Sequence, residues 1–268
     1  MQEKETSPEA SQPLKGRRIV VTRPLKQAIR FSESLTNLGS QVIQMPTVEI
    51  SDPSDFQDLD RSVRCLPDFD WVVFTSGNAI RFFIESAKRT GISVVESLSN
   101  TGVCCVGPET ARLCENYGIN VEAVPMIHTG ESIVELFRSR GDLSGKKFLI
   151  PSGSEARLTV SEGLEGLGAR VSVILAYETL PVLQVPSETL TNVQAGVDLL
   201  TFTSPSTVQS FHDLVRGEAY APAAVIGPVT SEEAEKLGYE VVVQATEHST
   251  SGMLRSIIQY FTNNAKRI

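Results

Sequence analysis

The sequence predicts an α/β protein made of two pseudo-symmetric, flavodoxin-like domains with parallel sheets, and three observations carry that prediction. First, the chain repeats itself. Gly16-Arg17-Arg18-Ile19-Val20-Val21, with Leu35, Leu38-Gly39 and Val42 behind it, returns as Gly145-Lys146-Lys147-Phe148-Leu149-Ile150 with Leu164, Leu167-Gly168 and Val171, at a constant offset of 145 − 16 = 129. Second, the copies continue in the same order. Phe74-Thr75-Ser76 returns as Phe202-Thr203-Ser204 and Val106-Gly107-Pro108-Glu109-Thr110 as Ile226-Gly227-Pro228-Val229-Thr230, at offsets of 128 and 120. Third, short β-branched runs alternate with segments of helical spacing, a pattern that requires right-handed crossovers and helices on both faces of a parallel sheet.

The elements follow in order. Arg18–Thr22 is a short apolar strand; Ile29, Phe31, Leu35 and Leu38 give helical spacing over Gln27–Leu38, Gly39 stops that helix, and Gln41–Met45 is the next strand. The same strand, helix, glycine, strand order runs from Lys147 to Ala176, with Gly168 as the stop. Asp70–Phe74 and Asp198–Phe202 read as buried strands that lead into helices at Asn78–Lys88 and Thr207–Val215. Strands at Gly102–Val106 and Ala223–Ile226 lead into helices at Thr110–Tyr117 and Ser231–Leu237. Strands at Val121–Val124 and Glu240–Val243, then helices at Glu131–Ser139 and Gly252–Phe261, close the two copies.

Composition narrows the function. The 268 residues are 41% hydrophobic and 21% charged, ordinary for a soluble globular protein, and the longest apolar runs are strand-sized, so no transmembrane helix is expected. Residues 1–15 carry Glu3, Glu5 and Glu9 among Ser, Pro and Gln, lack the features of a signal or transit peptide, and read as a disordered tail of a cytoplasmic protein. A net charge of −8 argues against a nucleic-acid surface but permits an anionic small ligand, because local amides and a few cations can reverse the field in a cleft. Cys65, Cys104, Cys105 and Cys114 have no C-x-x-C spacing and read as reduced thiols, with no metal site.

Cofactor motifs fail one by one. Gly141 to Lys147 has the wrong glycine spacing and a Lys where a Walker loop needs Ser or Thr, and no G-x-G-x-x-G follows the first strand. Ser152-Gly153-Ser154 is no nucleophile elbow, and His128, His212 and His248 read as surface or loop residues. What remains are loops at the carboxyl ends of strands, where open α/β sheets place ligands. Thr75-Ser76-Gly77-Asn78, Thr203-Ser204-Pro205-Ser206, Gly107 to Thr110 and Gly227 to Thr230 each join a strand to a helix. Such helix starts attract carboxylates through unpaired amides, although helix capping alone would also account for these residue types.

Taken together, Thr22-Arg23-Pro24, F-T-S-x-N-A (Phe74 to Ala79), V-G-x-x-T-A (Val106 to Ala111), Y-E-T-x-P (Tyr177 to Pro181), F-T-S-P-S (Phe202 to Ser206) and I-G-P-x-T (Ile226 to Thr230) resemble the uroporphyrinogen-III synthase family from about Gly16 to Phe261. The resemblance implies a lyase of tetrapyrrole (heme) biosynthesis that closes hydroxymethylbilane to uroporphyrinogen III, inverting ring D and losing water, with no cofactor. It implies substrate contacts from Arg23, Thr75, Ser76, Gly107, Thr110, Ser204, Ser206, Gly227 and Thr230, and polar assistance to the departing hydroxyl from Tyr177, whose other reading is a packed residue beside the inter-domain connection. Where relatives often carry Arg-Gly this chain has Ser152-Gly153, and Arg157, Lys146 or Arg23 could supply the cationic contact instead.

The resemblance also sets the expected domains: 16–48 with 183–268 as one, 52–178 as the other, and extended linkers at 47–52 and 179–184, flanked by Pro46, Pro53, Pro181 and Pro186. That two-stranded connection would permit domain rotation. A monomer is expected, with a transient contact to hydroxymethylbilane synthase as a further partner. Two other readings compete. A cofactor-independent racemase needs a cysteine from each half, and none follows Cys114; a cytosolic two-domain small-ligand-binding protein without catalysis has no such objection.

Overall fold

The computed structural model describes residues 12–265. In chain order the elements are β1 (Arg18–Val21), α1 (Leu25–Asn37), β2 (Gln41–Gln44), β3 (Val48–Ser51), α2 (Gln57–Arg64), a 3₁₀ turn (Leu66–Asp68), β4 (Trp71–Phe74), α3 (Gly77–Thr90), α4 (Val94–Ser97), β5 (Gly102–Cys105), α5 (Pro108–Asn116) and α6 (Gly130–Ser139). They continue as β6 (Lys147–Gly153), α7 (Thr159–Glu165), β7 (Arg170–Pro181), α8 (Ser187–Gln194), β8 (Leu199–Phe202), α9 (Pro205–Val215), β9 (Ala223–Val225), α10 (Pro228–Lys236), β10 (Val241–Gln244) and α11 (Thr250–Ala265).

The strands form two sheets, ordered β10-β9-β8-β1-β2 and β3-β7-β6-β4-β5. Pairing is parallel across the first sheet and along β7-β6-β4-β5 in the second. Counted from β1, the first sheet has the flavodoxin order 2-1-3-4-5. Counted from β6, the second has 2-1-3-4 along β7-β6-β4-β5, because β6-α7-β7 of the second repeat joins β4 and β5 of the first, and its fifth strand, β3, lies on the other edge beside β7. The repeats therefore exchange their opening strand-helix-strand pieces. By contacts the chain divides at Glu49–Ile50 and Thr179–Leu180 into one unit that includes both ends of the chain and one made of the middle. Both passages lie in strands that are neighbours in the second sheet's order.

Each unit has apolar clusters on both faces of its sheet, as near-continuous apolar strands require. In the first unit Ile19 and Val21 enter a cluster with Phe31, Leu35, Met253 and Ile257, whereas Val20 joins Phe202, Phe211 and Tyr239. In the middle unit Val72 and Phe74 join Phe83, Ile80 and Leu149, and Val73 joins Phe137, Phe148 and Ile133. Alternation within one strand thus serves both layers.

Several expectations change. The tail expected over 1–15 falls on residues outside the described ones only up to 11; residues 12–16 form turns, and Leu14 is fully buried against the α1 and α11 layer. The strand expected at Val121–Val124 is a single bridge from Ala123 to Cys104, because Glu122 and Val124 face outward and Pro125 follows at once. Several helices begin earlier than their apolar spacing suggested, with proline at the first turn of α5, α9 and α10. Helices α2 and α8 were not expected; they bury only Leu59, Ser62 and Val63 in one case and Val193 in the other, too few positions to give a period.

Candidate active site

The middle unit brings Tyr177 and Ser76 together. Ser76 ends the loop after β4 and caps α3, its Oγ accepting from the Ala79 amide at 3.1 Å. The same Oγ lies 3.2 Å from the Tyr177 hydroxyl. Either hydroxyl can donate in this contact; with Ser76 as donor its oxygen still accepts the capping bond and the phenol hydrogen is free to point outward. Tyr177 lies near the end of β7 and its ring stacks on Phe82 of α3, centroids 5.8 Å apart and planes 20° apart. The hydroxyl is therefore held at a strand's carboxyl end, beside a helix start, on a half-buried ring. Thr75, half-buried, precedes it in the loop.

The matching loop of the other unit is built differently. Ser204 caps α9 through a reciprocal capping box with Thr207, and its Oγ lies 2.9 Å from Ser206 Oγ. These two expected contacts are thus adjacent. Arg23, after β1, donates to Gln27 Oε1 at 3.2 Å.

Gly107 and Gly227 cap α5 and α10 in extended backbone that any residue could adopt, so the backbone does not demand glycine there. Side chains do. A Cβ at Gly107 would lie 3.1 Å from the His128 ring, and one at Gly227 would lie 3.2 Å from the His248 ring. Each histidine is exposed and precedes the residue that caps the next helix: Thr129 Oγ1 accepts from the Ser132 amide, and Ser249 Oγ accepts from the Gly252 amide. Thr110 and Thr230, three residues after the glycines, are buried. The sequence predicts surface histidines here, as observed, but not their pairing with the glycines. The signal that could have found it is the histidines' spacing, 248 − 128 = 120, the same offset as the glycine loops.

Electrostatics separate chemistry from structure. The Lys146 ammonium donates to Asp70 at 2.7 Å at the amino end of β6, so it is not placed to replace a cation in the Ser152-Gly153 loop. Arg157 bears on Glu131, whose carboxyl is held low first by its own backbone amide, then by Thr129, and less by Arg157. Burial pushes the Cys104 thiol up to about 12. The hydrogen bond with Cys114, Sγ to Sγ 3.6 Å, raises Cys105 further, so neither is a ready nucleophile. All four cysteines are free. Among the described residues no group of His, Cys, Asp and Glu is arranged to hold a metal ion, and no helix is long and apolar enough to cross a membrane.

Comparison with known proteins defines the class. The family model "Uroporphyrinogen-III synthase HemD" matches residues 29–255. The uroporphyrinogen-III synthase of Synechococcus elongatus is 31% identical over 94% of this chain and 98% of its own length. That of Chlorobaculum parvum is 28% identical over 83% and 90%. Among solved structures, a mutant uroporphyrinogen III synthase from Thermus thermophilus aligns over 92% of this chain and 100% of its own with a TM-score of 0.66 at 19% identity. The Helicobacter pylori enzyme does so over 91% and 99% with a TM-score of 0.57 at 17% identity, both likenesses of fold. The chain belongs to the uroporphyrinogen-III synthase family, an enzyme family of tetrapyrrole biosynthesis, and this supports catalysis over the non-catalytic binding protein.

Proposed function

We propose that the protein cyclises hydroxymethylbilane to uroporphyrinogen III, inverting ring D and releasing water, and that it does so in the cytoplasm as a monomer without a cofactor. The observation that supports the chemical step is the phenol of Tyr177, fixed by Ser76 and Phe82 at a strand's carboxyl end. The electron-rich pyrrole of ring A expels its hydroxyl, which leaves as water with a proton that the Tyr177 O–H helps to supply. The resulting azafulvene is attacked by the substituted carbon of ring D, giving a spiro intermediate that rearranges to the macrocycle. Because the substrate also closes unaided to the wrong isomer, the protein's main contribution is to hold the chain's ends in one arrangement.

The substrate carries eight carboxylates in this reading, which suits paired helix starts better than a nucleophile. We assign carboxylate contacts to Thr75, Ser76, Gly107 and Thr110 of the middle unit and to Arg23, Ser204, Ser206, Gly227 and Thr230 of the other, chiefly through amides and hydroxyls. A short-lived contact with hydroxymethylbilane synthase would deliver the unstable chain. If the two strand passages act as a hinge, X-ray scattering with and without uroporphyrinogen III will show a change in dimensions.

The deciding experiment is incubation with enzymatically generated hydroxymethylbilane, followed by separation of type I and type III isomers. Type III product that survives dialysis against a chelator is the expected result. Type I alone, at the uncatalysed rate, would refute the assignment.

A further inference from the structure

Gly153 has no backbone reason to be glycine. It lies in β6, its φ is not positive, and glycine inside a strand weakens it unless another group must come close. The close group is Tyr177: a Cβ at 153 would lie 2.5 Å from Cζ, 2.7 Å from Cε2 and 2.8 Å from the hydroxyl oxygen. The pairing of β6 with β7 explains how they meet. Ser152 pairs with Leu175, so a strand continuing in step would set Gly153 opposite Ala176; instead the register slips and Gly153 pairs with Tyr177.

We infer that Gly153, together with this register slip, is the positioning element for the phenol, the empty side-chain space at 153 being the seat of the Tyr177 ring tip. The inference rests on the reading of Tyr177 as the group that assists the departing hydroxyl. Carbon atoms pack at about 3.5 Å or more, so a methyl group at 153 would displace the ring tip by about 1 Å from its place beside Ser76. A misplacement of that size at a reacting group costs on the order of 10²-fold in rate. Gly153 touches no reacting atom; it acts through Tyr177.

The test is Gly153→Ala made in the wild type and in Tyr177→Phe. In the wild type, kcat for type III product should fall on the order of 10²-fold while KM stays within about threefold. In the Phe background the same change should cost nothing further, because the hydroxyl it misplaces is already gone. Equal losses in both backgrounds, or an unchanged kcat in the first, would overturn the inference. Should Tyr177→Phe itself keep full turnover, the catalytic reading of Tyr177 fails, and the seat is then judged separately by the Cζ resonance of Tyr177 in ¹³C-tyrosine-labelled protein. That resonance should shift in Gly153→Ala, and an unmoved one sinks the seat. If Gly153→Ala does not fold, Gly153→Ala/Tyr177→Leu should restore folding by removing the ring, and failure of that pair also refutes it.

Discussion

Each unit of the molecule ties its sheet with the same clasp, but in the middle one a tyrosine hydroxyl lies beside the serine that caps the helix after β4, whereas in the other the matching serine meets Ser206 and Thr207. In the first unit Asp198, just before β8, accepts from Arg17 Nη1 at 3.0 Å and from the Arg18 amide at 2.8 Å. In the middle unit Asp70, just before β4, accepts from Lys146 Nζ at 2.7 Å and from the Lys147 amide at 2.9 Å. In both, the basic pair comes from one repeat and the aspartate from the other, so the clasp joins the pieces the repeats have exchanged. At the opposite ends of the strands the symmetry breaks. At the 129 offset, Val48 stands where Tyr177 does (177 − 129 = 48) and Pro24 where Gly153 does (153 − 129 = 24). Val48 is buried, and Ser204, the counterpart of Ser76, is engaged with Thr207 and Ser206. The difference teaches that the capping serines recur in both copies, whereas the tyrosine beside Ser76 has a valine at the matching position of the other copy.

The largest expected effect is at that asymmetry. Tyr177→Phe removes the hydroxyl and keeps the ring on Phe82, so kcat should fall by about 10², the low end of what a placed proton donor contributes. The melting temperature should hardly move. Steady-state kinetics with isomer analysis beside a thermal melt checks both, and an unchanged rate would leave Tyr177 as packing and the two units chemically equivalent.

A smaller effect is expected where the units match. Thr110→Ala and Thr230→Ala, like Ser204→Ala and Ser206→Ala, should each weaken binding of product by about two- to tenfold, the range of one neutral hydrogen bond of about 0.5–1.5 kcal/mol. No single change should abolish it. Titration calorimetry with uroporphyrinogen III reads this directly; collapse of binding on one Arg or Lys substitution, with the hydroxyl variants silent, would show a single cationic anchor instead. Gly107→Ala and Gly227→Ala should each raise KM only a few-fold, since a Cβ at 3.1 or 3.2 Å needs the facing histidine to give by a few tenths of an ångström. A large loss at one and none at the other would end the equivalence of the two corners.

Much of this was legible in the sequence, for physical reasons. Buried parallel strands must be short and apolar, so Val20, Val73 and Leu200 marked them; glycine and proline marked the helix ends. The repeat revealed which loops correspond. The clasps were hidden because Arg17 and Asp198 are 181 residues apart and only the exchange of pieces joins them. The seat at Gly153 was hidden because a one-residue slip in strand pairing leaves no trace in composition. His128 and His248 were passed over because an exposed histidine looks like surface until its ring is seen against a glycine. Polar helices such as α2 bury too few side chains to give a period.

The smallest effect tests the clasps. All four charged side chains remain partly exposed, 31% and 37% for Asp198 and Arg17 and 35% and 52% for Asp70 and Lys146, so solvent screening limits each ion pair. Asp70→Asn and Asp198→Asn should each cost about 0.5–1 kcal/mol, which for a protein of this size lowers the melting temperature by roughly 1–4 °C. The pH dependence has a definite sign for Asp70. The Lys146 ammonium, and after it the Lys147 amide, hold its carboxyl below the ordinary carboxylate value. Its stabilisation is therefore complete above the unfolded value of about 3.9 and is lost as pH falls through the lower folded value. The difference between wild type and Asp70→Asn, measured by urea unfolding, should be constant from neutral pH down to about 5 and shrink below about 4. A difference that grows on acidification would mean that Asp70 favours the protonated form, and the clasp would then be a neutral hydrogen bond rather than a charged one.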